Sequence, residues 1–211
     1  MKDREYLERL VLDAQDTIYF LSSERKPERE RRTCAAFLRC LGINFTSKEI
    51  VSVKTDPPDV TFRSAHFEVV EVLDEGRKRH DEWKSEHQRR LTAEGLDDLV
   101  EPYRPPEPTP FADILNLIIN ALAKKSARYG ETVCLELDAL VYVNLLSNVL
   151  DPKSPIPNSD ELPVQGWRSV SMIMPLYSHV FLARESAPQI LRDLVGETKS
   201  ECTGFDAIFE L

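Results

Sequence analysis

The sequence predicts an α/β fold, a mixed central sheet flanked by helices, and three observations carry it. Long segments place apolar residues at helical spacing, as in Tyr6, Leu7, Leu10, Val11, Ala14 and Ile18. Between them lie short runs rich in Val, Ile and Phe, the composition of strands. One run, Thr132 to Val143, is almost continuously apolar, as expected of a strand buried on both faces.

In chain order, the first helix spans about Arg4 to Leu21. A second starts at Pro27, whose fixed φ suits a first helical turn, and runs to Leu41, with Gly42 as a left-handed stop. Three strands follow, at 50–53, 59–63 and 67–73. Pro57-Pro58 suits the mouth of the second strand but not its middle. The Ser64-Ala65-His66 link makes the last two a hairpin. Asp74-Glu75-Gly76 then turns into a polar helix ending near Leu91. Five prolines between Pro102 and Pro110 make a stiff connector, with Thr109 as cap of an apolar helix that Gly130 ends. Strands at 132–137 and 139–143 come next, then a proline-rich loop at 151–163. Strands at 169–174 and 180–183 follow, and a helix from Ser186 to Leu194 stops at Gly196. The expectation is one domain over residues 1–211, with an N-terminal helix and a C-terminal extension of strands and a helix.

Composition narrows the function. Of 211 residues, 42% are hydrophobic and 30% charged, the balance of a globular chain. The start, Met1-Lys2-Asp3-Arg4-Glu5, has no apolar signal run, and no segment approaches a membrane span, so a cytoplasmic protein without a membrane partner is expected. Cys34, Cys40, Cys134 and Cys202 form no Cys-x-x-Cys pair and read as reduced thiols. A formal charge of −9 argues against a tight, sequence-independent DNA binder. The charge is uneven, however: Gly76 to Arg90 holds six basic residues against three acidic ones, and Arg25 to Arg32 is a second basic cluster.

The residues that carry chemistry lie on the hairpin. Pro58-Asp59 opens its first strand, and Phe67-Glu68-Val69-Val70-Glu71-Val72-Leu73 forms its second. Two carboxylates on adjacent strands can share one hard cation, since facing Cβ atoms lie about 4.5–5.5 Å apart. Register decides which pair meets. If Arg63 faces Phe67, Asp59 lies opposite Glu71, the preferred pairing; if Arg63 faces His66, Asp59 lies opposite Val70 with Glu68 diagonal to it. A one-residue slip swaps the faces, so the two are exclusive.

With Glu30 on the preceding helix, this order of helix, three-strand meander, helix and strand over about residues 27–143 resembles the PD-(D/E)xK, restriction-endonuclease-like nuclease superfamily. The whole chain, with Glu75-Gly76-Arg77-Lys78-Arg79-His80-Asp81-Glu82-Trp83, also resembles a small bacterial family labelled as endonucleases. The resemblance implies a Mg²⁺-dependent DNA endonuclease. Asp59 and Glu71 would bind metal together with a main-chain carbonyl, Glu68 or Glu30 would assist, and Arg77, Lys78, Arg79 and Lys84 would guide the phosphate backbone. The superfamily's lysine, two residues after the acid, is replaced here by Leu73 or Val70. A lysine from elsewhere, Lys54, Lys78 or Lys84, would have to substitute. The alternative is a catalytically degenerate nuclease fold that binds nucleic acid, a protein partner or a second copy.

Other chemistries find less support. His80 and His87 share a helix face without a third ligand at metal spacing. Ser178-His179 lacks a nucleophile-elbow glycine. No Gly-rich loop precedes a helix, so a phosphate cradle has no basis.

Overall fold

A computed structural model of the chain describes residues 3–156 and 166–200. Its elements in order are α1 (Asp3–Phe20), α2 (Lys26–Cys40), β1 (Ile50–Ser52), β2 (Val60–Phe62), β3 (Ala65–Leu73), α3 (Arg79–Thr92), β4 (Glu107–Thr109), α4 (Phe111–Tyr129), α5 (Glu131–Cys134), β5 (Asp138–Asn144), β6 (Asn148–Leu150), β7 (Ser169–Met174), β8 (Tyr177–Ala183), α6 (Gln189–Arg192) and β9 (Thr198–Ser200). The α/β class holds. The described residues gather into two compact units, one from residues 3–26 and 75–105 and the other from 27–74 and 106–200.

The first unit pairs α1 with α3. No residue of α3 is fully buried. Arg90 ties the helices together by donating to the Leu10 carbonyl at 2.7 Å, and its guanidinium also meets Glu86 and lies 5.5 Å from the Trp83 ring centre. Arg89 bridges Glu86 and Glu101, and Arg77 pairs with Glu82. The arginines of this basic helix are thus largely matched by its own acids.

The second unit is built on a seven-stranded sheet in the order β1-β2-β3-β5-β7-β8-β9. The β1-β2-β3 meander is antiparallel, β3-β5-β7 is parallel, and β7-β8-β9 is antiparallel again. Alternation of side chains divides the strands between two cores. On one face Val70, Val72, Val141 and Met172 pack with Ile114, Ile118 and Leu122 of α4. On the other Phe62, Phe67, Leu140 and Ile173 pack with Phe37 and Leu38 of α2 and Leu191 of α6. A buried polar knot fastens the base of the parallel strands. The Asp138 carboxylate accepts from the His66 amide at 2.9 Å, the Ser169 hydroxyl at 2.7 Å and the Arg168 guanidinium, which also donates to the Ser64 carbonyl at 3.2 Å.

Several expectations are corrected. Residues 132–137, read as a strand, instead form α5 and a turn: Gly130 (φ +82) reverses the chain, and the Cys134 and Leu135 amides donate to the Gly130 and Glu131 carbonyls. Only Cys134 and Leu137 of that apolar run are buried. The proline-rich connector contains β4, which pairs in parallel with β6, so Pro110 rather than Thr109 caps α4. The helix read from Ser186 to Leu194 is confined to α6, starting after Pro188. Cys34 and Cys134 are buried free thiols, whereas Cys40 is in a disulfide, against the expectation of reduced thiols throughout. Cys202 and most of the loop at 151–163 lie outside the described residues. No described helix is long and apolar enough to cross a membrane.

Candidate metal centre

The β2–β3 hairpin closes more tightly than either expected register. Phe62 pairs with Ala65 and Val60 with Phe67, leaving Arg63-Ser64 as a two-residue turn with Arg63 at φ +52. Core packing rules out the Glu71 register: Val60, Phe62, Ala65 and Phe67 are all 0% exposed, and a one-residue slip would take half of them off the α2 face. One step further along, Asp59 comes beside Glu68, on the face towards α4. Neither the Glu71 nor the Val70 pairing forms.

Asp56, Asp59 and Glu68 each present a carboxylate oxygen within 4.8 Å of the others. Asp59 is 7% exposed and Glu68 fully buried. The loop from β1 supplies Asp56. Asp59 is oriented by its own strand pair, since its Oδ2 accepts from the Val69 amide at 3.0 Å and its main-chain amide donates to the Phe67 carbonyl at 3.1 Å. Glu68 receives the Lys125 ammonium and the Tyr129 hydroxyl, at 2.9 Å, on Oε1, while its buried Oε2 has no hydrogen-bond partner among the described residues. Tyr129 also reaches Asp56 Oδ1 at 2.9 Å, and Arg128 donates to Asp56 Oδ2 at 2.8 Å.

Electrostatics follow from burial. Desolvation pushes the Glu68 carboxyl up, Lys125 opposes that shift, and the Asp59 charge adds to it. Burial also drives the Tyr129 phenol far above its ordinary range, reinforced by hydrogen bonds to Asp56 and Glu68. Tyr129 therefore stays protonated as a donor. The centre offers three hard carboxylates, one with an unused buried oxygen, which is the donor chemistry of a hard divalent cation.

Lys125, Arg128 and Tyr129 escaped the sequence reading, as did Asp56. A signal existed for two of them. The buried stripe Ile114, Ile118, Leu122 continues at 125 and 129 by helical spacing, so Lys125 and Tyr129 interrupt an apolar face. A lysine on a buried stripe normally has a buried acid to meet.

The other expected site residues lie elsewhere. Glu71 points to the opposite face from Glu68 and accepts from Asn144 Nδ2 at 3.0 Å. Glu30 is buried on α2, on that same opposite side of the sheet. Lys54 is exposed in the loop after β1. Arg77, Lys78, Arg79 and Lys84 belong to the other compact unit. His179, in place of a catalytic role, is buried against Phe111 and Phe181, with Nδ1 2.8 Å from the Thr198 hydroxyl.

Comparison with known proteins then places the chain. The family model described as "Putative endonuclease, protein of unknown function (DUF1780)" matches residues 2–205. The chain belongs to the DUF1780 family. A solved structure from Pseudomonas aeruginosa strain PAO1 is similar at 32% identity and TM-score 0.66, over 95% of this chain and 96% of that one. That protein is described as being of unknown function and of the monooxygenase superfamily. No curated protein matches the chain.

Proposed function

We propose that this DUF1780 protein is a divalent-cation-dependent phosphodiesterase acting on nucleic acid, with its metal held by Asp59, Glu68 and Asp56. The observation that supports this reading best is Glu68: a fully buried carboxylate beside Asp59, with one oxygen held by Lys125 and the other unpartnered. A buried, half-satisfied carboxylate costs free energy, and a cation is the group that two or three converging carboxylates satisfy together.

This geometry also bears on the missing motif lysine. With Glu68 as the strand acid, the position two residues later is Val70, which packs against α4. Lys125 comes from α4 into the same neighbourhood and meets Glu68. On this reading Lys125 takes the role sought for Lys54, Lys78 or Lys84, with a helix-borne lysine in place of the strand lysine of the PD-(D/E)xK pattern. The family description agrees with a nuclease while specifying no chemistry.

When bound, Mg²⁺ or Mn²⁺ supplies Lewis-acid polarisation of the phosphate and a lowered pKa for a coordinated water. The chain's own residues do the rest. Asp59 is held by the Val69 amide, so its carboxylate is preoriented. Lys125 holds Glu68 in place, and its ammonium would supply positive charge beside a phosphate bound at these carboxylates. Tyr129 and Arg128 fix Asp56 at the rim.

The test is a Mg²⁺ or Mn²⁺ cleavage assay on duplex, branched and single-stranded DNA and on RNA. Asp59→Asn and Glu68→Gln should each lower the rate on the order of 100-fold or more, the usual cost of losing a preorganised charge-stabilising group. Equal activity in wild type and both variants would sink the assignment.

A further inference from the structure

We propose that Arg31 and Arg39 of α2, on either side of the Arg32–Glu28 pair, form a phosphate-binding subsite that holds a nucleic-acid strand at the β1 edge of the sheet. The proposal rests on the phosphodiesterase reading above and adds the binding surface that reading lacks. On α2 the positions 28, 32, 35 and 39 share one face, with 31 beside them. They form, with Phe45, Ser47 and Ile50, an open cleft of about 190 Å³.

Arg32 is committed to Glu28 at 2.7 Å. Arg31 and Arg39 are exposed and have no carboxylate partner among the described residues; Arg39 lies over the Phe45 ring, 5.5 Å from its centre. Phe45 stands edge-on to Phe62, and the Arg63 guanidinium lies 4.6 Å from the Phe62 ring centre. Two uncommitted guanidinium forks above an apolar and aromatic floor suit a phosphodiester backbone with its sugar or base against the ring. By contrast, Arg77, just before α3, and Arg89 and Arg90 of α3 are paired with acids of their own unit.

The net charge of −9 does not oppose this. At physiological salt, charges farther away than about 8 Å are screened, so the local arginines decide what the cleft attracts.

Position decides the substrate class. Ile50 of the cleft pairs with Phe62, three residues along β2 from Asp59, or about 10 Å along the strand. The cleft lies on the α2 side and the carboxylates face α4. A mononucleotide cannot touch both; a polymer passing around the β1 edge can.

Binding of labelled duplex and single-stranded oligonucleotides, measured in EDTA so that metal plays no part, tests the cleft. Arg31→Ala/Arg39→Ala should weaken binding about tenfold. It should also reduce the slope of log affinity against log salt by about 1.4 on single strands or 1.8 on duplex, the loss of two phosphate contacts. Arg31→Lys/Arg39→Lys, which keeps the charges, should restore most of the slope. A charge-matched control, Arg104→Ala/Lys153→Ala, should bind within about twofold of wild type. An unchanged affinity and slope in the alanine pair overturns the proposal. So does the absence of any oligonucleotide binding, or equal competition by polyglutamate, which would assign the cleft to an acidic peptide. Arginine-dependent binding without cleavage in Mg²⁺ would uphold the cleft and defeat the phosphodiesterase reading. Cleavage that is indifferent to both arginines would do the reverse.

Discussion

Lys125 and Glu68 form one electrostatic unit, and each depends on the other. Glu68 has no exposed surface, so its charge leans on the Lys125 ammonium and the Tyr129 hydroxyl beside it. Lys125→Met should therefore abolish metal-dependent cleavage and also cost about 2–4 kcal/mol of stability, because it leaves the buried carboxylate with the Tyr129 hydroxyl and no opposite charge. Adding Glu68→Gln should recover part of that stability and none of the cleavage; urea denaturation of both variants measures it. His179 sets a second residue-scale expectation. Burial pushes its imidazole down to about 4, partly offset by the Glu197 backbone. The folded pKa lies below the unfolded value of about 6.5, so the unfolded chain binds the extra proton between them. The contribution is complete above about pH 6.5 and is lost as pH falls towards 4. Subtracting the His179→Phe stability curve from wild type should isolate a loss on the order of 1–2 kcal/mol across that window. A flat difference would show that the imidazole ionises freely in the fold.

At the level of elements, the hairpin shows what a sequence discloses and what it hides. That 59–63 and 67–73 pair was legible from composition and turn chemistry. The register was not, because the turn sits where Arg63 adopts φ +52, a conformation a bulky residue rarely takes. Burial of Ala65 with Phe67 decided the pairing and, with it, Glu68 over Glu71. The run at 132–137 misled for a related reason: its apolar residues fit a strand locally, but Gly130 turns the chain and only two of them reach the core. Lys125 was hidden because its partner lies 57 residues away, on a strand whose facing was still open. Among the elements, Asp138 carries the heaviest structural duty, joining β3, β5 and β7 at one end. Asp138→Ala should destabilise by about 3–5 kcal/mol, since it strands the buried Arg168 charge. A cost under 1 kcal/mol in guanidinium denaturation would show that the knot is dispensable.

Across the whole molecule, the two compact units differ in how they are held. The sheet unit buries both faces of β5 and β7, where every residue but Asn144 is buried. Among its described residues the helical unit buries only Ala14, Phe20 and Leu21, and α3 buries none. Amide exchange should follow that division, with α3 opening far below the global unfolding free energy and β5 and β7 exchanging only with global unfolding. Comparable protection in both would mean that the helical unit is as cooperative as the sheet. The basic composition of α3 drew attention in the sequence, yet the carboxylates, Lys125 and the α2 arginines all reside in the sheet unit. The central claim is that Glu68, not Glu71, completes a cation site with Asp59, and calorimetric titration with Mn²⁺ tests it most directly. One Mn²⁺ should bind wild type and Glu71→Gln alike, with binding lost in Glu68→Gln. Equal binding by wild type and Glu68→Gln, or loss confined to Glu71→Gln, would contradict it.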